Sequence, residues 1–182
     1  GVGLLGCVAQ ETMTLNQTAR AGDQIAIYIG TGNGLLDLSL LSNASIQAKN
    51  SGVNVGSSVA LNSPLLNLNL LSGNTVAVAK FPITGDTNQI QVQVGGLVSL
   101  LVNLRIYDVR LEFAQPTVAG GLTQTVCAGV PTTLTATPAA GTTLAWYSSE
   151  FSTTALAVGN TYTTPALTGN TTYYIGITRA AG

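Results

Sequence analysis

The most informative feature of this sequence is what it lacks. Its 182 residues include no histidine, two cysteines and only 7% charged residues. Without histidine or a cluster of cysteines, the usual zinc sites and Ser-His-Asp triads are excluded. Six basic and seven acidic residues without a basic run give no electrostatic footprint for nucleic acid. We therefore predict no enzymatic activity, no cofactor or metal, and no nucleic-acid partner.

Long hydrophobic runs are also missing. No apolar stretch approaches 18 residues, because Asp, Asn, Ser, Gly or Gln interrupts each run, so we predict no membrane insertion. The chain starts at Gly1 and lacks a charged region followed by an apolar one, so we expect any targeting signal to be removed or to lie outside this sequence. A surface of Thr, Ser, Asn, Gln and Gly, with so little charge, favours an extracellular, cell-surface location.

The hydrophobic content indicates a folded protein with two regions of different composition. Hydrophobic residues make up 46% of the chain and the mean hydropathy is +0.39, which argues against disorder. Residues 1–115 hold 19 leucines and 11 charges, whereas residues 116–182 hold five leucines, two charges and 18 threonines. Pro116 and the pair Gly120-Gly121 predict a joint at 114–122, with the domain boundary at 115/116.

Four segments of the first region alternate polar and apolar residues with a period of two, which predicts half-buried strands. These are Gln24–Ile29, Thr75–Ala79, Gln89–Val94 and Leu104–Leu111. In the third segment the aliphatic residues are expected to face a core and the glutamines to face water.

A leucine-rich segment occurs twice in the first region, as residues 35–42 and, at an offset of 30, as residues 65–72. Two clear copies, each followed by a strand-like segment, favour a pseudo-symmetric sandwich over a solenoid. Their spacing suits a helical turn and a strand equally, and we favour short helical turns that enter strands.

Short strand-like segments with turn signals between them fill the second region, a pattern typical of an all-β sandwich. They are 124–127, 133–137, 144–147, 155–158, 161–164 and 171–178. Trp146 is expected in the core, and Tyr173 or Tyr174 is expected to pack in the sixth strand. The predicted fold class is therefore all-β, with two β-sandwich domains.

At these positions the sequence resembles a known family. Val126-Cys127-Ala128-Gly129, Trp146-Tyr147, Val158–Pro165 and Thr171–Tyr174 are similar to the immunoglobulin-like modules repeated in giant surface proteins of Bacteroidetes. The first region, through Gly34–Leu38 and Gly95–Val98, resembles the leucine-rich β module that often precedes them. The resemblance implies a secreted adhesin, in some cases linked to gliding motility and type IX secretion.

The family pattern also implies that something is missing from residues 116–182. Its modules usually end with a second cysteine and a last strand, and residues 1–15 read like that missing piece. We therefore expect residues 1–15 to close the immunoglobulin-like domain of a preceding unit, with residues 16–115 forming the leucine-rich module. The residues expected at this strand-complementation site are Leu4, Leu5, Val8, Met13 and Leu15 on the donor segment, and Tyr173, Ile175 and Ile177 on the acceptor.

A disulfide between Cys7 and Cys127 is expected across that junction, the alternative being two free buried thiols. The expected partner is a second copy of the chain, joined head to tail. A tandem repeat within one giant chain, separate subunits joined by strand donation, and an internally closed domain all satisfy the pattern. The resemblance favours the tandem repeat.

Carbohydrate binding is the alternative function, with surface glycans as further partners. β-Sandwiches often carry sugar sites, and the stacking candidates are Tyr28, Tyr107, Trp146, Tyr147 and Tyr162.

The acidic residues are weaker candidates for a functional site. The aspartates at 23, 37, 86 and 108 lack the spacing of a calcium loop and are expected to be solvated. Asp108 and Glu112 alternate with Arg105 and Arg110 along one strand region, and we expect cross-strand charge pairing there, with no role in acid–base catalysis.

Overall fold

The computed structural model describes residues 8–31, 38–64, 67–71, 75–95 and 104–180. The chain divides into two compact units between Phe113 and Ala114, two residues before the predicted boundary. The fold is all-β, as predicted, with antiparallel sheets in both units. In the described ranges, no helix has the length and apolar character needed to cross a membrane.

The first unit contains two four-stranded sheets, with the strand orders β1-β7-β3-β4 and β5-β6-β2-β8. The strands are β1 Val8–Ala19, β2 Gln24–Thr31, β3 Ala44–Asn50, β4 Val53–Ala60, β5 Asn67–Leu70, β6 Val76–Pro82, β7 Thr87–Gly95 and β8 Leu104–Glu112. The four predicted period-two strands are confirmed as β2, β6, β7 and β8. The two sheets form a sandwich around one hydrophobic core, which excludes the solenoid.

The core of the first unit follows from the alternation within its central strands. Ile25, Ile27 and Ile29 of β2 are fully buried, and alternate residues of a strand share one face of the sheet. They pack with Ile46 of β3 and Ile90 of β7 in the same buried cluster. Each such side chain contributes about 1.5–3 kcal/mol by leaving water.

The face of β7 that carries the glutamines is less exposed to solvent than expected. Gln91 is only 5% exposed, and its amide donates to the Thr12 hydroxyl at 3.1 Å. The Gln93 amide donates in turn to the Gln91 side-chain oxygen at 2.9 Å. Because β7 lies between β1 and β3, neighbouring side chains cover its outer face, and the amides satisfy one another there.

The two leucine-rich copies adopt different structures. In the first, a 3-10 helix spans Leu38–Asn43 and β3 begins at the next residue, which confirms a helical turn entering a strand. In the second, Asn67–Leu70 is strand β5, paired with β6, so the expected helical turn is wrong there. The edge of β6 supplies hydrogen bonds to the second copy. Residues 35–37, 65–66 and 72 lie outside the described residues.

The second unit contains two three-stranded sheets, with the orders β13-β10-β9 and β12-β11-β14. The strands are β9 Thr117–Val118, β10 Thr133–Thr137, β11 Thr143–Tyr147, β12 Ala157–Val158, β13 Thr161–Thr163 and β14 Tyr174–Thr178. A small core of Ala136, Leu144 and Trp146 is fully buried, which confirms the predicted position of Trp146.

The predicted strand at 124–127 is not formed. A strand at Thr117–Val118, within the predicted joint at 114–122, pairs with β10 instead. Gly120 and Gly121 then turn the chain away with φ angles of 79° and 85°, a conformation that favours glycine. The Gln124 amide donates to the Ala119 carbonyl at 2.8 Å. That side-chain bond holds the segment against the turn, away from the sheet.

Candidate functional site

Strand β14 ends one sheet of the second unit. It pairs with β11 along one side, and in the described part of the chain no strand pairs with its other side. Such an edge leaves a row of backbone N–H and C=O groups that another strand can bind. Ile175 and Ile177 of β14 pack against the small core. A strand added at this edge would therefore extend both the hydrogen-bond ladder and the apolar layer.

An aromatic row leads from the core to the start of β14. The Trp146 and Tyr162 rings stack with their centroids 6.2 Å apart, and Tyr173 meets Tyr162 edge-on at 5.0 Å. Burial of the Tyr173 phenol, and then its contact with Tyr162, raise the pKa of Tyr173 above its ordinary value. The three predicted acceptor residues, Tyr173, Ile175 and Ile177, thus lie at one edge of the unit.

The predicted donor residues lie elsewhere. Strand β1 spans the predicted boundary at 15/16 and pairs with β7. Met13 lies opposite Ile90, and the register shifts between Thr14 and Ala19. Met13 and Leu15 pack against the core of their own unit, whereas the preceding unit's core was expected. The correction has a simple cause, since β7 offers β1 both a hydrogen-bonding edge and an apolar face. Val8 is exposed, and Leu4 and Leu5 lie outside the described residues.

Cys127 lies in the segment between β9 and β10. It is exposed, and its thiol is free. Cys7, its expected partner, lies outside the described residues, so the disulfide stays a prediction.

Several large apolar side chains of the second unit face solvent. Leu122 is 93% exposed, Phe151 is 84% exposed and Val158 is 79% exposed. Val158 belongs to β12 and lies opposite Ala145 of β11. A unit that buries little and exposes much apolar surface is typical of one that contacts a neighbour.

A groove of about 300 Å³ opens in the first unit between β1 and β8, each of which is the edge of a sheet. Its walls are formed by Met13, Thr14, Leu15, Asn16, Gln17, Val109, Leu111 and Phe113. None of these side chains titrates, and the buried Gln17 Oε1 has no hydrogen-bond partner among the described residues. The lining suits an apolar group with one polar hydrogen, and it supplies no acid, base or nucleophile.

The five candidate stacking residues do not form one platform. Trp146 is 2% exposed, and its Nε1 donates to the Gly159 carbonyl at 3.0 Å. Tyr162 packs against the same core, so these two are structural residues. The ring of Tyr147 lies across Gly176, where an added Cβ would come 2.7 Å from Tyr147 Cε2. Tyr28 and Tyr107 belong to neighbouring strands, β2 and β8, of the first unit.

The aspartates are only partly as expected. Asp86 is exposed, but Asp23 is 1% exposed, which corrects the expectation of a solvated side chain. Its Oδ2 accepts a hydrogen bond from the Arg20 backbone N–H at 2.8 Å, so the carboxylate closes the β1–β2 turn. Asp37 lies outside the described residues. Within the ranges the structure describes, no three His, Cys, Asp or Glu residues cluster to hold a metal.

Asp108 and Glu112 are both ion-paired, but with Arg110 of the same strand and with Lys80, so the predicted cross-strand pairing is only partly correct. Glu112 of β8 contacts Lys80 of β6 at 2.7 Å, and Asp108 contacts Arg110 at 2.6 Å within β8. The hydrogen bond that Arg110 donates to Asp108 is the main reason that the pKa of Arg110 is raised above its ordinary value. Both pairs are structural ion pairs on a sheet face, with neither acid placed for proton transfer.

One of the comparisons with known proteins matches the second unit. Residues 114–182 match the family model described as "Ig-like domain CHU_C associated", which is an Ig-like domain of Bacteroidetes type. Domains of this kind are typical of secreted or surface proteins and are typically non-catalytic. The searches of curated proteins and of solved structures gave no match.

Proposed function

We propose that the chain is a structural repeat of an extracellular bacterial adhesin or surface filament. Its units join head to tail at the β14 edge, and it performs no catalytic step and binds no cofactor. The observation that carries this proposal is the second unit itself. It matches an Ig-like domain family that fits a surface-protein module. In its described part, it has an open edge strand and a core of three fully buried apolar side chains.

The donor segment is shorter than the predicted residues 1–15. Strand β1 pairs with β7 of its own unit from Val8 onward, so the segment left to complete a neighbour is residues 1–7. At about 3.3 Å per residue, seven extended residues span about 23 Å, more than the roughly 17 Å of a five-residue strand such as β14. Leu4 and Leu5 are then the apolar donors, and β14 of the preceding copy is the acceptor.

A disulfide between Cys7 and Cys127 of adjacent copies would lock this junction. The Cys127 thiol is exposed and free, and Cys7 lies within the proposed donor segment. Oxidising extracellular conditions favour such a bond. The low charge of the chain supports the same location, and the resemblance to Bacteroidetes surface proteins supports type IX export and a role in gliding.

Trp146 provides a direct test, because it is the only tryptophan and is buried in the core of the second unit. Two copies are expressed as one head-to-tail chain, with Trp146→Phe introduced into either the first or the last copy. The remaining tryptophan then reports unfolding of one second unit at a time. We expect the second unit of the first copy, which has a following donor segment, to unfold at higher urea concentration than that of the last copy.

The matched control carries Leu4→Asp and Leu5→Asp in the second copy, which should remove the difference between the two midpoints. Equal midpoints in the unmodified pair would overturn strand complementation. A difference that survives the Asp substitutions would assign the effect to some other contact.

The denatured mass of the native material, with and without reductant, separates the forms of the junction. A ladder or giant species that survives reduction indicates a covalent tandem repeat. High mass that falls to about the 18.5 kDa of one chain on reduction indicates subunits joined by disulfides. A mass of one chain in both conditions leaves non-covalent strand exchange or an internally closed domain.

A further inference from the structure

The charged residues of this chain are concentrated on one surface. Of six basic and seven acidic residues, three basic and two acidic ones face outward from the β6-β2-β8 part of one sheet, as the strand registers show. They are Lys80, Arg105, Asp108, Arg110 and Glu112. Tyr28 and Tyr107 share this surface, which we call the tyrosine face. Such a concentration in a chain with 7% charge requires an explanation beyond solubility.

An irregularity in β8 turns Tyr107 onto this face. Tyr28 lies opposite Asp108 and Ile29 lies opposite Ile106, so Tyr107 is an extra residue between the two pairs. In a strictly alternating strand Tyr107 and Asp108 would point to opposite faces. Bulges of this kind re-aim side chains and are common beside functional sites. The irregularity therefore brings an aromatic ring and a carboxylate to the same surface.

The Tyr107 ring is exposed on this face and is held in place there. It is 53% exposed, and it lies so close to Gly30 that a Cβ there would come 2.8 Å from Tyr107 Cε2. Its hydroxyl donates to the Thr31 carbonyl at 3.2 Å. The contact with Gly30 and the hydrogen bond hold the ring along the sheet. An exposed, fixed aromatic ring is suited to stack on the apolar face of a pyranose.

Charged groups share the tyrosine face with that ring. Asp108 and Arg110 contact each other at 2.6 Å, and the Arg110 guanidinium lies 4.8 Å from the centre of the Tyr28 ring. Arg105, opposite Gly30, is exposed and makes no ion pair with any described residue. The site thus combines a fixed acceptor–donor pair, which suits sugar hydroxyls, with one uncompensated cation, which suits a carboxylate.

We propose that the tyrosine face binds an acidic glycan. The pyranose ring stacks on Tyr107, its carboxylate pairs with Arg105, and its hydroxyls bond to Asp108 and Arg110. Charge complementarity favours an acidic sugar over a neutral one, because Arg105 is the one member of the set that makes no ion pair with a described residue. This site lies wholly in the first unit and does not depend on the head-to-tail junction.

The test measures binding of the full chain to oligosaccharides of galacturonate, mannuronate and glucuronate by isothermal titration calorimetry. Each is compared with the same oligosaccharide after reduction of its carboxylates to alcohols. We expect at least one acidic oligosaccharide to bind about tenfold more tightly than its reduced form, a difference of about 1.4 kcal/mol. Arg105→Gln should abolish that preference, and Tyr107→Ala should weaken binding of both forms about tenfold.

Two exposed residues away from the site serve as matched controls, Arg20→Gln and Tyr174→Ala, and both should bind like the parent chain. Arg105 is exposed, so its substitution does not threaten the fold, and the circular dichroism spectrum checks Tyr107→Ala. Absence of binding to every acidic oligosaccharide would overturn the proposal. Equal binding of acidic and reduced forms, or unchanged binding in both site variants, would overturn it too.

Discussion

The two units are both two-layer β structures, yet they are stabilised differently. The described part of the first unit contains a cluster of 15 buried apolar residues, whereas the second unit has three. Strand length explains much of the contrast. Strands β2 and β7 have eight and nine residues, while those of the second unit have two to five. Shorter strands place fewer alternate side chains in a shared core.

The stability of the second unit depends more on contacts between side chains on its surface. All outward positions of its β13-β10-β9 sheet are threonines, including the pair Thr133 and Thr163, whose hydroxyls lie 3.0 Å apart. On the other sheet, Thr143 and Thr178 lie 2.7 Å apart. Cross-strand threonine pairs contribute about 0.2–1 kcal/mol each, much less than a buried isoleucine. The contrast in core size is one reason for our proposal that a strand from a neighbouring copy stabilises the second unit.

The largest expected effect is in the first core. Ile27→Ala should lower the free energy of unfolding of the first unit by about 4 kcal/mol, because a dense core cannot collapse into the cavity. Urea unfolding followed by circular dichroism measures it. Trp146 fluorescence should keep its midpoint, since Trp146 lies in the other unit. Val53→Ala, at a 70% exposed position, is the control. A shifted Trp146 midpoint would show that the units are coupled.

Leu144→Ala in the second core should cost less, about 2–3 kcal/mol. Leu144 is fully buried, but only partly buried residues surround most of this small core, so neighbours can move into the space. Urea unfolding followed by Trp146 fluorescence gives the value, with exposed Leu122→Ala as control. A cost equal to that of Ile27→Ala would contradict the contrast between the cores.

The second unit should also lose stability in alkali. Burial raises the pKa of Tyr173 in the folded state, so the protonated phenol favours folding. This contribution is complete below the ordinary tyrosine pKa of 10.0 and is lost as pH rises through the higher folded value. The urea midpoint of Trp146 fluorescence should fall over that range. Tyr173→Phe should reduce this fall in the urea midpoint, whereas Tyr174→Phe should leave the fall unchanged. Identical pH profiles for the two variants would show that Tyr173 is not the cause.

The smallest effect is expected at the ion pair on the tyrosine face. Lys80 and Glu112 lie 2.7 Å apart, but their side chains are 40% and 39% exposed, so solvent screens them. Glu112→Gln should therefore change the stability of the first unit by less than about 1 kcal/mol, and less still at high salt. Circular dichroism at two salt concentrations measures this. A loss like that of Ile27→Ala would mean that the first unit relies on charge as well.

Much of the fold could be predicted because its signals are local. Alternation predicted β2, β6, β7 and β8, and the shift in composition predicted two units. The signal for the bulge at Tyr107 was also present, since the apolar positions of β8 change from Leu104 and Ile106 to Val109 and Leu111, an interval of three. The bulge was not predicted because a strict period of two was assumed along the strand. The second leucine-rich copy was mispredicted because the edge of β6, distant in sequence, decides its conformation.

The sequence by itself determined the all-β class, the division into two units and the burial of Trp146. These follow from periodicity and composition, which can be read from neighbouring residues within one segment. Tertiary structure alone decided that Met13 and Leu15 serve their own core, that Asp23 is buried, and that Tyr107 joins Asp108 on one face. Each of these depends on a strand far away in the chain. A strand's hydrogen-bond partners and its buried face depend on which other segment it pairs with. The residue pattern of one segment does not specify that partner.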